Sequence, residues 1–160
     1  MLDPKIQQAL SPYFDSIMKK HFQFDDNQTE NAHISEEALK SMYKDAIDLY
    51  NNDQAQEACL TFGILIRERP FTKSFWMGLA ASRQKLKEFD NALMAYAMTT
   101  LIDDIDPMPH FHAAQCYFEL GNKDEAIKAI NLAEALVFEN DSFRNHMDRI
   151  QQFKNNLRNI

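Results

Sequence analysis

Apolar residues recur along most of this chain at spacings of three and four, the pattern of helices that each bury one stripe. Over residues 4–20 the stripe is Ile6, Leu10, Tyr13, Phe14 and Ile17. Pro12 interrupts it, and either kinks one helix or opens a second with Ser11 as its cap. The stripe has two readings: packing on the neighbouring repeat, or contact with a second copy of the chain. Residues 21–33, HFQFDDNQTENAH, are polar, acidic and without period, and predict a loop or linker. Ser35 then supplies a helix N-cap, with Ile34 placed to staple onto Leu39. At the far end Phe143, Met147, Ile150, Phe153 and Leu157 mark a final helix with one apolar face.

Between these ends the pattern repeats. Ala58, Ala92 and Ala126 are each 34 residues apart, and so are Ala46, Ala80 and Ala114. Thirty-four is the period of the tetratricopeptide repeat, a helix–turn–helix unit with small residues where its helices A and B touch. The boundaries agree. Pro70 closes the first unit, Thr72 caps the second between Phe71 and Trp76, and Asp106-Pro107 opens the third. In the first unit Asn51-Asn52-Asp53 replaces the usual turn glycine, and Asn and Asp tolerate the left-handed conformation. The predicted fold is therefore all-α, a tetratricopeptide-repeat solenoid of three helix pairs. Residues 1–34 form an N-terminal helix and linker, and 35–139 the repeats (about 39–72, 73–106 and 107–139). Residues 140–160 form a C-terminal helix whose apolar face caps the open end.

Stacked units turn their A helices toward a concave groove. In the repeat pattern it is lined by positions 2, 5, 9 and 12 of each unit. Position 2 is Lys40, Ser74 and Met108; position 5 is Tyr43, Met77 and Phe111. Position 9 is Ile47, Ala81 and Gln115; position 12 is Tyr50, Gln84 and Phe118. With one Lys among aromatic, aliphatic and Met side chains, this lining suits an extended apolar peptide better than a C-terminal carboxylate. Each buried Leu or Val anchor contributes roughly 1.5–3 kcal/mol. Ordering a flexible ligand takes back ~2–5 kcal/mol. A few anchors therefore give a reversible complex.

Composition narrows the field. The 160 residues suit one domain, and 45% hydrophobic content supplies a core. Only 3 Gly and 5 Pro argue against an all-β chain. A formal charge of −7 argues against nucleic acid and anionic membrane surfaces. No apolar run reaches the ~18 residues of a membrane span. Met1-Leu2-Asp3-Pro4 does not open a secretory signal. Cys59 and Cys116 stand far apart without a CxxC, and read as reduced thiols. His112 and Cys116 share a helix face, but no further ligand at matching spacing joins them, so neither metal nor cofactor is expected. Phosphate loop, HExxH and nucleophile elbow are all missing, which argues against catalysis.

Three segments carry a specific resemblance. Met42-Tyr43-x2-Ala46-Ile47-x2-Tyr50, Phe75-Trp76-Met77-Gly78-Leu79-Ala80-Ala81-Ser82-Arg83-Gln84 and Phe111-His112-Ala113-Ala114-Gln115-Cys116 resemble the class II chaperones of bacterial type III secretion, the LcrH/SycD/IpgC type. The match spans Met42 to Leu136. It departs at Asp53-Gln54-Ala55, where the family carries a glycine and then an aromatic. The resemblance implies a cytoplasmic bacterial chaperone for hydrophobic translocator proteins, and a P-x-L-x-x-P-like client segment held extended in the groove. It implies a homodimer formed through the N-terminal region, with some members also assisting a transcriptional activator. Tyr43, Ile47 and Tyr50 match family groove positions. The rival reading is a generic repeat adaptor for protein assembly; an enzyme is a distant third.

Overall fold

The computed structural model describes residues 3–22 and 34–159, with the side chains of 14, 15 and 17–22 outside the described part. The helices are α1 (Pro4–Phe22), α2 (Glu36–Asn51), α3 (Ala55–Glu68), α4 (Lys73–Lys85), α5 (Phe89–Ile102), α6 (Met108–Glu119), α7 (Lys123–Glu139) and α8 (Met147–Arg158). A 3-10 turn over Asp141–His146 leads into α8. From α2 onward each helix packs on the next, so α2/α3, α4/α5 and α6/α7 form three stacked pairs with α8 on the end. Among the described residues no helix is long and apolar enough to cross a membrane.

The small-residue sets explain the pairing. Ala46, Ala80, Ala114, Ala58, Ala92 and Ala126 are all fully buried. Close approach of A and B helices leaves no room there for a larger side chain. The turns between paired helices repeat as well. Asp53, Lys87 and Gly121, again 34 apart, take φ of 62°, 61° and 76°. Each turn closes with the same pair of backbone hydrogen bonds. The one that reaches back five residues is Gln54 N to Leu49 O (2.9 Å), Glu88 N to Arg83 O (2.9 Å) and Asn122 N to Tyr117 O (2.8 Å). This is the Schellman closure, which favours glycine at the left-handed residue. Asp53 does take the left-handed conformation expected of it. Lys87 does so without glycine's freedom.

Capping follows the sequence with one exception. Ser35 Oγ accepts from Ala38 N at 3.2 Å, and Asp106 Oδ1 from Met108 N at 2.8 Å. Thr72 sits at the N-cap of α4, but its side chain makes no cap hydrogen bond. Lys73 at the start of α4 instead ties that helix to the connection between α5 and α6, with Nζ 2.6 Å from both Asp103 and Asp106. Trp76, fully buried, donates Nε1–H to Pro70 O at 2.7 Å and fixes the boundary between the first two units.

The core divides in two. One cluster joins α2 to α5 and takes in Cys116; the other joins α6, α7 and α8 through Phe111, Ile130, Val137, Ile150 and Leu157. Phe143, Met147 and Phe153 pack against the second cluster, so the final helix caps the stack as its apolar stripe predicts.

At the other end, α1 is one helix with Pro12 inside it, and it continues through the expected loop start at residue 21 to Phe22. The rest of the expected linker, 23–33, lies outside the described residues. Leu10 packs against the first core cluster, whereas Ile6 and Tyr13 are exposed. Phe14 and Ile17 have side chains outside the described part.

Candidate functional site

Two adjoining hollows open on the face built by α2, α4 and α6. The first, ≈ 230 Å³, is lined by Tyr43, Ile47 and Tyr50 of α2, Phe62 of α3, and Ser74, Met77, Gly78 and Ala81 of α4. It is almost wholly apolar in side-chain chemistry. Tyr43 forms one wall, meeting Phe62 edge-on at 6.2 Å and Phe75 at 5.5 Å. Phe62 is fully buried behind Gly78, and a Cβ on Gly78 would fall inside the contact distance of its ring. The glycine thus lets the Phe62 ring form the floor.

The second hollow, ≈ 300 Å³, shares Tyr50 and Ala81 with the first and adds Gln84, Lys85, Tyr96, His112, Gln115 and Arg149. Its polar groups form a chain. Tyr96 OH donates to Gln84 Oε1 (2.7 Å), and Gln84 Nε2 donates to Gln115 Oε1 (3.3 Å). The same oxygen lies 3.0 Å from His112 Nδ1, so that nitrogen carries the proton and donates. Tyr96 and His112 stack at 5.5 Å, 12° from parallel. Burial holds His112 below the usual imidazole range despite the Gln115 hydrogen bond, with the Arg149 charge adding to the effect, so the ring is neutral near pH 7. Burial also pushes the Tyr96 hydroxyl up, which keeps it a donor. Lys85 Nζ lies 4.6 Å above the Tyr50 ring, donates to Tyr50 O (2.8 Å) and pairs with Asp53 at 2.6 Å.

Of the positions expected to line a groove, Tyr43, Ile47, Tyr50, Ser74, Met77, Ala81, Gln84 and Gln115 come together in these hollows. Lys40 is exposed and lines neither. Met108, Phe111 and Phe118 line neither hollow and belong instead to the second core cluster. The reason is α8. Its Phe153 meets Phe111 at 5.8 Å and Phe118 at 6.2 Å, and the Arg149 guanidinium lies 4.6 Å over the Phe111 ring. Phe111 is left 1% exposed.

Phe62, Gly78, Lys85, Tyr96, His112 and Arg149 were not foreseen as lining. Gly78 and His112 stand inside the quoted signature segments, the one available signal for them. Arg149 comes from a helix outside the repeats, where repeat positions give no guide.

Elsewhere chemistry is sparse. Burial raises Cys59 to about 11 and Cys116 to about 12, so both free thiols are unreactive near neutrality. Among the described residues no group of His, Cys, Asp and Glu is arranged to hold a metal.

Comparisons with known proteins agree with this geometry. A tetratricopeptide-repeat family model matches residues 110–133. The low calcium response locus protein H of Yersinia pestis is 28% identical over 117 residues, 73% of this chain and 70% of that one. The type III secretion translocator chaperone SycD of Yersinia enterocolitica, solved as an alternative dimer, superposes with a TM-score of 0.73 at 26% identity, covering 78% of this chain and 94% of SycD. SycD in complex with a peptide of the translocator YopD gives 0.72 at 26% identity, over 78% and 95% of the two chains. SycD is a translocator chaperone. By repeat, sequence and fold together, the chain is a tetratricopeptide-repeat relative of the type III secretion translocator chaperones.

Proposed function

We propose that this protein is a chaperone of a bacterial type III secretion system that binds translocator proteins. An extended apolar segment of the client lies across the two hollows, and the chaperone keeps the client soluble and competent for secretion in the cytoplasm. The observation that carries the reading is the first hollow. It is an open apolar recess lined by α2 and α4, on a fold whose relative SycD has been solved with a translocator peptide. An apolar side chain seated there is removed from water against Tyr43, Ile47 and Met77. A P-x-L-x-x-P-like segment fits this recess through its Leu, while its prolines hold the chain extended.

Residues 35–139 act as the binding solenoid, in units of about 39–72, 73–106 and 107–139. The N-terminal helix serves self-association through Ile6, Tyr13, Phe14 and Ile17, with Leu10 tying it to the body. The exposure of Ile6 and Tyr13 supports this, as does the dimer form of SycD. Assistance to a transcriptional activator is a further role implied by the resemblance.

Tyr50 tests the reading, because its ring borders both hollows and is only half-buried. Tyr50→Asp removes an apolar wall worth roughly 1.5–3 kcal/mol to a bound side chain, about 10- to 100-fold in affinity. The assay is fluorescence anisotropy with a labelled P-x-L-x-x-P peptide, beside co-expression with a translocator of the same bacterium. Helicity by circular dichroism should stay unchanged. Undiminished binding, with the client still soluble, would sink the groove reading and favour a generic adaptor that uses another face.

A further inference from the structure

The second hollow is chemically unlike the first. The chain carries 24 Asp and Glu against 17 Lys and Arg, yet no carboxylate lines this hollow and two cations do. Most of its strong acceptors are already engaged. Both glutamine oxygens are taken, Gln84 Oε1 by Tyr96 and Gln115 Oε1 by Gln84 and His112. What remains open is mainly donors: both protons of the Gln115 amide and the second proton of the Gln84 amide, against the one acceptor nitrogen of the neutral His112 ring. Arg149 lines the same hollow, and among the described residues its charge has no ion-pair partner; its guanidinium lies over the face of Phe111. Lys85 is already engaged by Asp53. A recess that offers donors and one uncompensated positive charge is complementary to an anionic acceptor.

We propose that this hollow is a carboxylate subsite. It takes the side chain of an Asp or Glu in the same client segment whose apolar side chain fills the first hollow, with Arg149 and the Gln115 amide as its partners. The proposal rests on the client-binding reading and adds a chemical requirement to it: an acidic residue at a fixed offset from the apolar anchor. The offset is fixed because Tyr50 and Ala81 are walls of both hollows. A side chain fits better than a chain terminus. One unpaired cation matches one carboxylate, whereas clamps for a terminal carboxylate combine several cations with Asn.

The test uses the full chain and a set of acetylated, amidated P-x-L-x-x-P peptides, with Glu placed in turn at each variable and flanking position and compared with its Gln isostere. At one position Glu should bind about 3- to 5-fold tighter than Gln, the range for a solvent-accessible ion pair. That preference should vanish in Arg149→Gln and shrink as salt is raised. Arg149 is exposed and gives up only its contact with the Phe111 face, so the variant should melt within about 4 °C of wild type. Equal binding of Glu and Gln peptides at every position, with the Leu anchor still required, overturns the subsite and leaves the groove standing. A Glu preference that survives Arg149→Gln overturns it too, as does a larger gain from a free C-terminus than from any Glu. Failure of every peptide to bind overturns the client-binding reading and the subsite with it.

Discussion

Alanine at position 78 separates helix propensity from packing, because the two pull in opposite directions. Gly78 lies mid-helix in α4, where glycine costs roughly 0.5–1 kcal/mol relative to alanine. On propensity alone Gly78→Ala stabilises. The structure reverses the sign. A Cβ at 78 meets three atoms of the Phe62 ring at once, well inside van der Waals contact. Phe62 is fully buried, held edge-on by Tyr43, so its one free direction is into the first hollow. Overpacking of this kind costs about 1–3 kcal/mol, which leaves a net loss of roughly 0–2.5 kcal/mol after the propensity gain. At about 2–4 °C per kcal/mol for a chain of this size, the melting temperature should fall by up to about 10 °C. Binding should suffer more than stability, since a displaced ring occupies the space meant for the client's anchor. The assay is thermal unfolding paired with peptide anisotropy, on Gly78→Ala and on the double variant Gly78→Ala/Phe62→Leu, whose smaller side chain makes room for the methyl. A raised melting temperature with unchanged affinity in the single variant would show that Phe62 yields freely, and that the glycine is not there for the ring.

Two further perturbations probe the scaffold. Lys87→Gly should stabilise by about 1 kcal/mol, because the residue is exposed and holds φ at 61° where an L side chain is strained; a melting temperature at or below wild type counts against the turn assignment. The second is pH. Burial holds His112 below its ordinary pKa, so the unfolded chain binds a proton that the folded site refuses, and stability falls as pH drops below about 6.5. Carboxylates held low by partners, such as Asp103 beside Lys73, lose stability only near and below pH ~4, outside that window. His112→Gln should therefore flatten the change in melting temperature between pH 7 and pH 5, though not abolish it, since burial lowers His110 as well; an unaltered slope would remove His112 from the account.

The repeats were legible because their signal is steric and periodic. An A–B contact that excludes anything larger than alanine writes itself into the chain every 34 residues, and all six alanines concerned are fully buried. The hollow walls followed from the same arithmetic through Tyr43, Ile47, Tyr50, Met77 and Ala81. In the third unit Gln115 lines the second hollow, whereas Met108, Phe111 and Phe118 line neither. In the first unit the position-5 residue leans on the next A helix, as Tyr43 does on Phe75 at 5.5 Å. The third unit has no next repeat, and α8 takes that place, with Phe153 meeting Phe111 at 5.8 Å. An amphipathic stripe announces that a face is buried, not against what, so α8 was visible as a helix while its burial of Phe111 and its packing on Phe118 were not. Arg149 was hidden for the same reason, since it reaches the second hollow only because α8 lies where it does.

The division of the core gives the polar chain a structural task as well. Apolar packing alone lets neighbouring units slide, because it is non-directional. Between the second and third units the contact is completed by Tyr96, Gln84, Gln115 and His112, whose hydrogen bonds hold only at one relative placement. Among the described residues no buried side-chain polar atom lacks a partner, so the chain is satisfied as it stands and any slip between the units leaves a buried donor or acceptor exposed to its desolvation cost, about 1–3 kcal/mol each. The Lys73 clamp on Asp103 and Asp106 acts on the same joint from the helix ends. The spacing between the apolar recess and Arg149 is therefore set by the scaffold before any partner arrives. A client that offers an apolar side chain and a carboxylate at that spacing binds without having to order the joint.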